Sequence, residues 1–213
     1  ELAAWETVTI PLAACLNSQK GESILLNRQR GWADDLAPAL FENAIDDITL
    51  DAMNAEVIEA LPDFRRYLAA KAQLLGSSPQ LAWHDMLAPL GSAASGIEWP
   101  DAIHTVRNAF AEFSAPLGGL VDRAVTERWI DAEPRAGKAG GAFCMPVAGD
   151  VSRILMTFDG SADTMQTLAH ELGHAYHNTL LGLRPWLQRD TPRCLAETAS
   201  IFCETGRSCG ACC

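Results

Sequence analysis

The residues with the most chemistry in them stand together at Thr167-Leu168-Ala169-His170-Glu171-Leu172-Gly173-His174-Ala175-Tyr176-His177. His170 and His174 are four apart, so on a helix they leave the same face, one turn above the other. Two imidazoles so placed can reach one metal ion. Glu171, beside the first of them, is then positioned to polarise a water on that ion as general base, the mechanics of a His-Glu-x-x-His helix. Solvated side chains that share a helix by chance are the bland alternative. Against it, three of the five histidines fall within eight residues, and small Ala169, Gly173 and Ala175 let the helix pack closely.

Two histidines leave a tetrahedral Zn²⁺ one protein ligand short, with a further position kept for water. A third histidine six residues on would complete one known ligand set, but that position is Leu180. The other common solution takes a glutamate from a later helix. The run Leu195-Ala196-Glu197-Thr198-Ala199-Ser200-Ile201-Phe202-Cys203-Glu204 offers two, seven apart and hence on one helix face. Glu197 reads as the third ligand, because a carboxylate on a half-buried face needs a partner; a solvated pair of carboxylates is the alternative. Glu204 reads as the group that orients a ligand histidine through its free ring N–H. His177, one turn past His174, is open to three uses: ligand, substrate contact or packing.

The elements that must position these residues follow from periodicity and breakers. Ser161 or Asp163 caps the metal-binding helix, which runs to about Leu181 before Gly182. Before it, Ala142–Met145 and Arg153–Phe158 read as two strands joined through Val147–Asp150. Ile130–Gly141 reads as a turn-rich approach. Its glycines resemble a phosphate loop only superficially, because Lys138 is not followed by Ser or Thr. Most of the chain upstream is helical in pattern, with Leu81–Pro89 short and mixed. Leu50–Leu75 is the longest helix, with Met53, Val57, Ile58, Leu61, Phe64, Leu68, Ala72 and Leu75 at three- and four-residue steps. Asp46-Asp47-Ile48-Thr49 starts it, Pro62 bends or splits it, and Gly76–Pro79 ends it. Glu1–Arg30 is helical with a break near Pro11 and a turn at Lys20-Gly21, and Ile24, Leu25 and Leu26 face a core. Further helices cover Ala33–Glu42, Pro100–Phe113 and Pro116–Trp129, and Gly91–Gly96 is a loop. His84, beside Asp85, and His104 read as structural.

Composition narrows the partners. The 213 residues suit one substantial domain or a piece of a larger protein. A net charge of −11 and a pI near 4.8 repel phosphate backbones, and the basic clusters Arg28-Gln29-Arg30 and Arg65-Arg66 are short, so no nucleic-acid partner is expected. No apolar run approaches the roughly 20 residues of a membrane span. No signal peptide is visible, and the missing initiator Met suggests a start inside a longer protein. Of seven cysteines, Cys15, Cys144, Cys194 and Cys203 sit in apolar contexts and behave as small hydrophobes, which suits a reducing, cytoplasmic setting.

The run Ala169–His177 followed by Leu195–Phe202 closely resembles the oligoendopeptidase F and thimet oligopeptidase family of zinc peptidases, with oligoendopeptidase F the closer branch. The resemblance takes in Trp129–Ala132, Pro134-Arg135, Gly137-Lys138, Gly141–Cys144 and Ser152–Leu155. It reaches more loosely to Asn43–Asp46 and Trp83–Asp85. It implies a mainly α fold: a helical zinc-peptidase catalytic core with a small β-hairpin or sheet before the metal-binding helix. It implies one Zn²⁺ on His170, His174 and Glu197, Glu171 as general base, and short peptides as substrates. By the same resemblance the strand around Arg153–Phe158 pairs with extended substrate backbone, through Arg153, Leu155 and Thr157. The organisation expected is a single partial catalytic domain, with residues 1–129 helical, 130–160 loop and small sheet, 161–204 the zinc-site helices, and 205–213 an aberrant Cys-rich tail. That tail carries Cys209, Cys212 and Cys213, departs from the family pattern, and reads as a truncated or frame-shifted end. A chain lacking the family's later substrate-binding Tyr and His side chains is expected to turn over slowly, or to persist as an inert helical remnant.

Overall fold

A computed structural model describes residues 2–76, 80–86, 88, 90, 96–138 and 140–205. The loop expected at Gly91–Gly96 (all but Gly96) and the tail with Cys209, Cys212 and Cys213 lie outside the described residues. The chain divides into two compact units, residues 1–81 and 82–213.

The first unit is helical: α1 (Leu2–Glu6), α2 (Thr9–Arg30), α3 (Ala37–Asn43) and α4 (Asp47–Leu74). Pro11 does not break α2, because it is the third helical residue, where the backbone N–H has no helical acceptor to lose. Gly21 sits mid-helix without a turn; its cost of about 1 kcal/mol is borne by a helix of 22 residues. The turn comes instead at Gly31, at φ 74°. Asp46 caps α4 as its position predicts, its carboxylate accepting from the Thr49 N–H at 2.8 Å. Pro62 lies inside α4 without splitting it. The carbonyl it leaves without a donor is on an exposed stretch, where water can serve it. The apolar stripe of α4 faces solvent rather than a core at Val57, Ile58 and Phe64, as do Ile24 and Leu25 of α2; among the described residues of this unit only Leu40, Lys71 and Ala72 are buried.

The second unit holds the core. Helix α5 (Trp99–Phe113) buries Ala102, Val106 and Phe110 at four-residue steps, and α6 (Ala115–Thr126) buries Leu117, Leu120, Val121 and Ala124. The two pack closely because Gly118 has no side chain; a Cβ there would lie 2.7 Å from the Cβ of Ala111. Arg128, at φ 55°, turns the chain out of α6. Three strands follow, β1 (Ile130–Asp131), β2 (Phe143–Ala148) and β3 (Val151–Leu155), in the order β1-β3-β2. Strand β3 is parallel to β1 and antiparallel to β2, with Cys144 opposite Ile154 and Met145 opposite Arg153. Strand β1 is the addition to the expected hairpin: too short for a period of its own, it is set by pairing with β3. Alternate residues Ser152, Ile154, Met156 and Phe158 face inward under α7 (Ala162–Gly182), whose Met165, Leu168, Leu172 and Ala175 complete the core. Ser161 caps α7, accepting from the Thr164 N–H at 3.1 Å. One turn past His174, Asn178 donates to Ser152 Oγ at 3.1 Å, tying α7 to β3. Short α8 (Arg193–Ala196) and α9 (Thr198–Thr205) close the unit, Cys203 being buried against α7. Among the described residues no helix is long and apolar enough to cross a membrane.

Helix α9 reaches α7 at Gly173, where an added Cβ would stand 2.8 Å from both the Ala199 carbonyl oxygen and Ser200 Cα. Gly173→Ala is therefore expected to lower stability by about 1–3 kcal/mol through overpacking. Gly119→Ala, whose Cβ would meet nothing within 4 Å on a helix, should be neutral or slightly stabilising. Urea melts of the two variants beside wild type measure the contrast; equal midpoints would refute the close contact.

A second lock holds the turn after β1. The Asp131 carboxylate accepts from both Arg135 terminal nitrogens, at 2.7 and 2.6 Å, and from Lys138 Nζ at 3.0 Å. Lys138, almost fully buried, also donates to the carbonyls of Asp131 and Glu133. The Arg135 guanidinium first, then Lys138, holds the Asp131 carboxyl well below its ordinary value. Its contribution to folding is therefore complete above the unfolded value of about 3.9 and is lost as pH falls below it. Asp131→Asn should flatten the acid limb of a stability–pH curve below about pH 4; an unchanged limb would show that the lock carries no linkage.

Candidate metal centre

The site is built where α7 and α9 meet. His170 and His174 project from one face of α7 with ring centroids 4.9 Å apart and planes at 80°. Glu197 stands at the junction of α8 and α9, in helical backbone geometry, and its carbonyl accepts the Ile201 N–H at 2.9 Å. Its side chain reaches across the Gly173 contact, so that Oε2 lies 3.1 Å from Nε2 of His170 and 3.1 Å from Nε2 of His174. One ligand atom from each of the three residues falls within 4.8 Å of the others, and among the described residues no other group of three does so.

Two further contacts aim these atoms. Glu204 Oε2 meets His170 Nδ1 at 2.9 Å, while its Oε1 accepts from Gln166 Nε2 at 2.6 Å. A carboxylate can only accept, so the hydrogen-bond pattern assigns the His170 proton to Nδ1 and leaves the Nε2 lone pair facing Glu197. Ser200, fully buried, has its Oγ 2.8 Å from Glu197 Oε2. Neither Gln166 nor Ser200 stands out in the sequence. A polar residue one turn before His170, and one three residues after Glu197, are the spacings at which they were legible.

The donor set fits a divalent ion. A neutral Nε2 lone pair set 3.1 Å from a carboxylate oxygen is repulsive unless positive charge lies between, and this happens twice on the same oxygen. Donors around a small four-coordinate ion stand about 3.3–3.6 Å apart for bonds of about 2.0–2.2 Å. The observed separations of 3.1 Å are slightly shorter. Burial keeps the His174 imidazole below its ordinary pKa, which favours the neutral, ligating form, against the opposing pull of Glu197. The Ser200 hydrogen bond holds the Glu197 carboxyl below its ordinary value. Beside them Glu171 is 5% exposed, and its Oε2 is buried with no hydrogen-bond partner among the described residues. Burial pushes its carboxyl up, His170 opposing and Glu197 adding. A buried carboxylate without a partner is costly, so this orphaned oxygen points to a proton or cation beside it.

The other residues read from sequence fall as follows. Glu171, His170 and Glu204 line an open pocket of about 400 Å³ together with Ala142, Gln166 and Thr167. His177 is half-buried on α7 and lies outside the converging group. The strand expected to pair with substrate, around Arg153–Phe158, lies inside the sheet only as far as Leu155; beyond it the N–H groups of Met156 and Phe158 pair with the carbonyls of Asp131 and Ala132 on one side. Strand β3 is central, with Leu155 paired to both Asp131 and Phe143 and Arg153 to Met145, so the backbone of 153–155 has no free edge. The Arg153 side chain is exposed and donates to the Ser152 carbonyl at 3.0 Å; Leu155 and Thr157 are half-buried. Among the described residues, the free edge of the sheet near the site belongs to β2, whose first residue, Phe143, follows pocket-lining Ala142. His84 is solvated rather than packed, with Asp85 3.8 Å away, and His104 is exposed and faces Asn108. A larger cavity of about 630 Å³, at the other end of α7 near Trp186 and Arg189, holds no such ligand group.

Residues 118–205 match Peptidase family M3. Curated relatives include the oligoendopeptidase F homolog of Lactococcus lactis subsp. lactis strain IL1403, 28% identical over 163 residues, or 76% of this chain and 27% of that protein. The group B oligopeptidase PepB of Streptococcus agalactiae is 29% identical over the same length and shares. The chain thus spans about a quarter of the length of these relatives. A solved protein assigned as an oligoendopeptidase F superposes with a TM-score of 0.77 at 16% identity, covering 95% of this chain and 37% of that one. PZ peptidase A, solved with an inhibitor, gives 0.70 at 16% identity, covering 85% and 34%. At that identity the likeness is one of fold, and it matches the mainly helical architecture with a small sheet.

If the Glu204 carboxylate steers the His170 ring, Glu204→Ala should weaken divalent-ion affinity by about 10- to 100-fold. Competition against a chromophoric chelator measures this, and an unchanged affinity would show that Glu204 only packs.

Proposed function

We propose that this chain, a relative of the oligoendopeptidase F proteins whose residues 118–205 belong to peptidase family M3, is the metal-binding part of a zinc-dependent endopeptidase acting on short peptides. The single observation that carries the reading is the convergence of His170, His174 and Glu197 beside a buried, unpartnered Glu171. In this reading His170, His174 and Glu197 hold one Zn²⁺, which when bound supplies Lewis acidity to a water and to the scissile carbonyl. Glu204 and Ser200 keep the ligand atoms aimed. Glu171, its carboxyl raised by burial, takes a proton from the attacking water and returns it to the leaving amine. Its lack of other hydrogen-bond partners leaves that oxygen free for the task.

The substrate backbone has a place to lie. Strand β2 leaves the pocket at Ala142 and presents a free edge from Phe143 to Met145, to which an extended peptide can add as a further strand. Pro146, with no N–H to donate, limits that edge. A cytoplasmic setting with reduced thiols suits Cys144 and Cys203, whose burial pushes their thiols up to about 12 and about 11 and keeps them protonated.

One assay tests this reading. The purified 213-residue chain is loaded with Zn²⁺ and given a quenched fluorescent short peptide. Turnover should be abolished by chelation and lowered about 10²- to 10⁴-fold in Glu171→Gln, with bound Zn²⁺ unchanged. A Glu171→Gln variant as fast as wild type would remove Glu171 from the chemistry. Zn²⁺-bound wild type without turnover would show that residues 1–213 do not suffice for the chemistry.

A further inference from the structure

We propose that Ser200 is a positioning residue that restricts Glu197 to one-oxygen ligation through Oε2, keeping a coordination position open. This deepens the metal-site reading above and rests on it.

The argument begins with one proton and two acceptors. Ser200 Oγ lies 2.9 Å from the Glu197 backbone carbonyl and 2.8 Å from Glu197 Oε2, and a hydroxyl has a single hydrogen to give. The carbonyl is already served by the Ile201 N–H at 2.9 Å. The carboxylate bond is charge-assisted and about twice as strong as a neutral one, so the proton goes to Oε2. Ser200 is fully buried, so no water competes for it. Its position is also fixed from behind, because Ser200 Cα is one of the atoms that a Cβ on Gly173 would strike at 2.8 Å.

The Oε2 lone pairs are thereby divided. One receives the Ser200 hydrogen; the other faces the two Nε2 atoms at 3.1 Å each. Oε1 has no protein partner among the described residues, and the Glu197 side chain is 53% exposed, so nothing else prevents the carboxylate from rotating to offer both oxygens. A two-oxygen carboxylate would fill the place that a hydrolytic site keeps for water. Ser200, by anchoring Oε2, resists that rotation. Gln166 plays the matching part on the other arm, holding the Glu204 carboxylate that orients His170.

Co²⁺ reports the arrangement independently of turnover. The full chain and Ser200→Ala, which loses one oxygen and cannot overfill its site, are titrated with Co²⁺ while visible absorption is recorded, and circular dichroism checks the fold. Wild type should show the intense bands of a four-coordinate ion. Ser200→Ala should bind about 10-fold more weakly, with the weaker bands of a higher-coordinate ion. Ser200→Thr, which keeps the hydroxyl, should restore the wild-type spectrum. A Ser200→Ala spectrum identical to that of wild type would overturn the role assigned to Ser200 while leaving the ligand set intact. A wild-type chain that bound no Co²⁺ would overturn the ligand set, and this role with it.

Discussion

Helices α7 and α9 approach so closely at Gly173 that no side chain fits between them, and the site exists only because of that approach. Glu197 is 23 residues beyond His174, far too distant in sequence for helical spacing to bring it near. Its carboxylate arrives 3.1 Å from two imidazole nitrogens because the backbone of α9 rests on the bare backbone of α7 between the two histidines. The same glycine that separates His170 from His174 by a small residue is thus the seat for the helix that completes their set. Buried Ser200 and Cys203 press that seat from the α9 side, so packing and ligand geometry are one constraint.

The opposite face of α7 does the holding. Met165, Leu168, Leu172 and Ala175 lie on α5, α6 and the sheet, so the helix is fixed by its apolar side while its polar side carries the histidines. Fixing a site on a well-packed helix keeps ligand atoms near their working positions at little entropic cost when the ligand arrives. Glu171 lies where the two faces meet. It is inside enough to lose water, and one of its oxygens has no hydrogen-bond partner among the described residues.

How much of this was legible depended on range. The four-residue step of His170 and His174, the Ser161 cap and the hairpin strands are local patterns, and sequence shows them directly. Pro11 misled because its effect depends on how far into a helix it falls, which the residue type alone does not say. Strand β1 is two residues long and owes its existence to its neighbour. That β3 is the central strand of three is likewise a property of register, and nothing inside Arg153–Phe158 records that the sheet pairs residues 153–155 on both sides. Glu197 and Glu204 stood out because carboxylates among apolar neighbours are conspicuous, whereas Ser200 and Gln166 are ordinary residues until their partners are in view. The apolar stripe of α4 is a real helical period, yet its burial was not legible, because a period shows which residues share a face and not what covers it.

Strand β2 carries Phe143, Met145 and Val147 exposed along an edge that is unpaired among the described residues, the arrangement by which β-proteins stick to one another. Pro146 sits in the middle of it, and the register slips between Pro146 and Ala148. A second β2 laid against the first would meet a missing amide and a kinked rail after three residues. An edge broken after three residues is a poor template for a fibril, so the proline works against growth of the sheet from copy to copy.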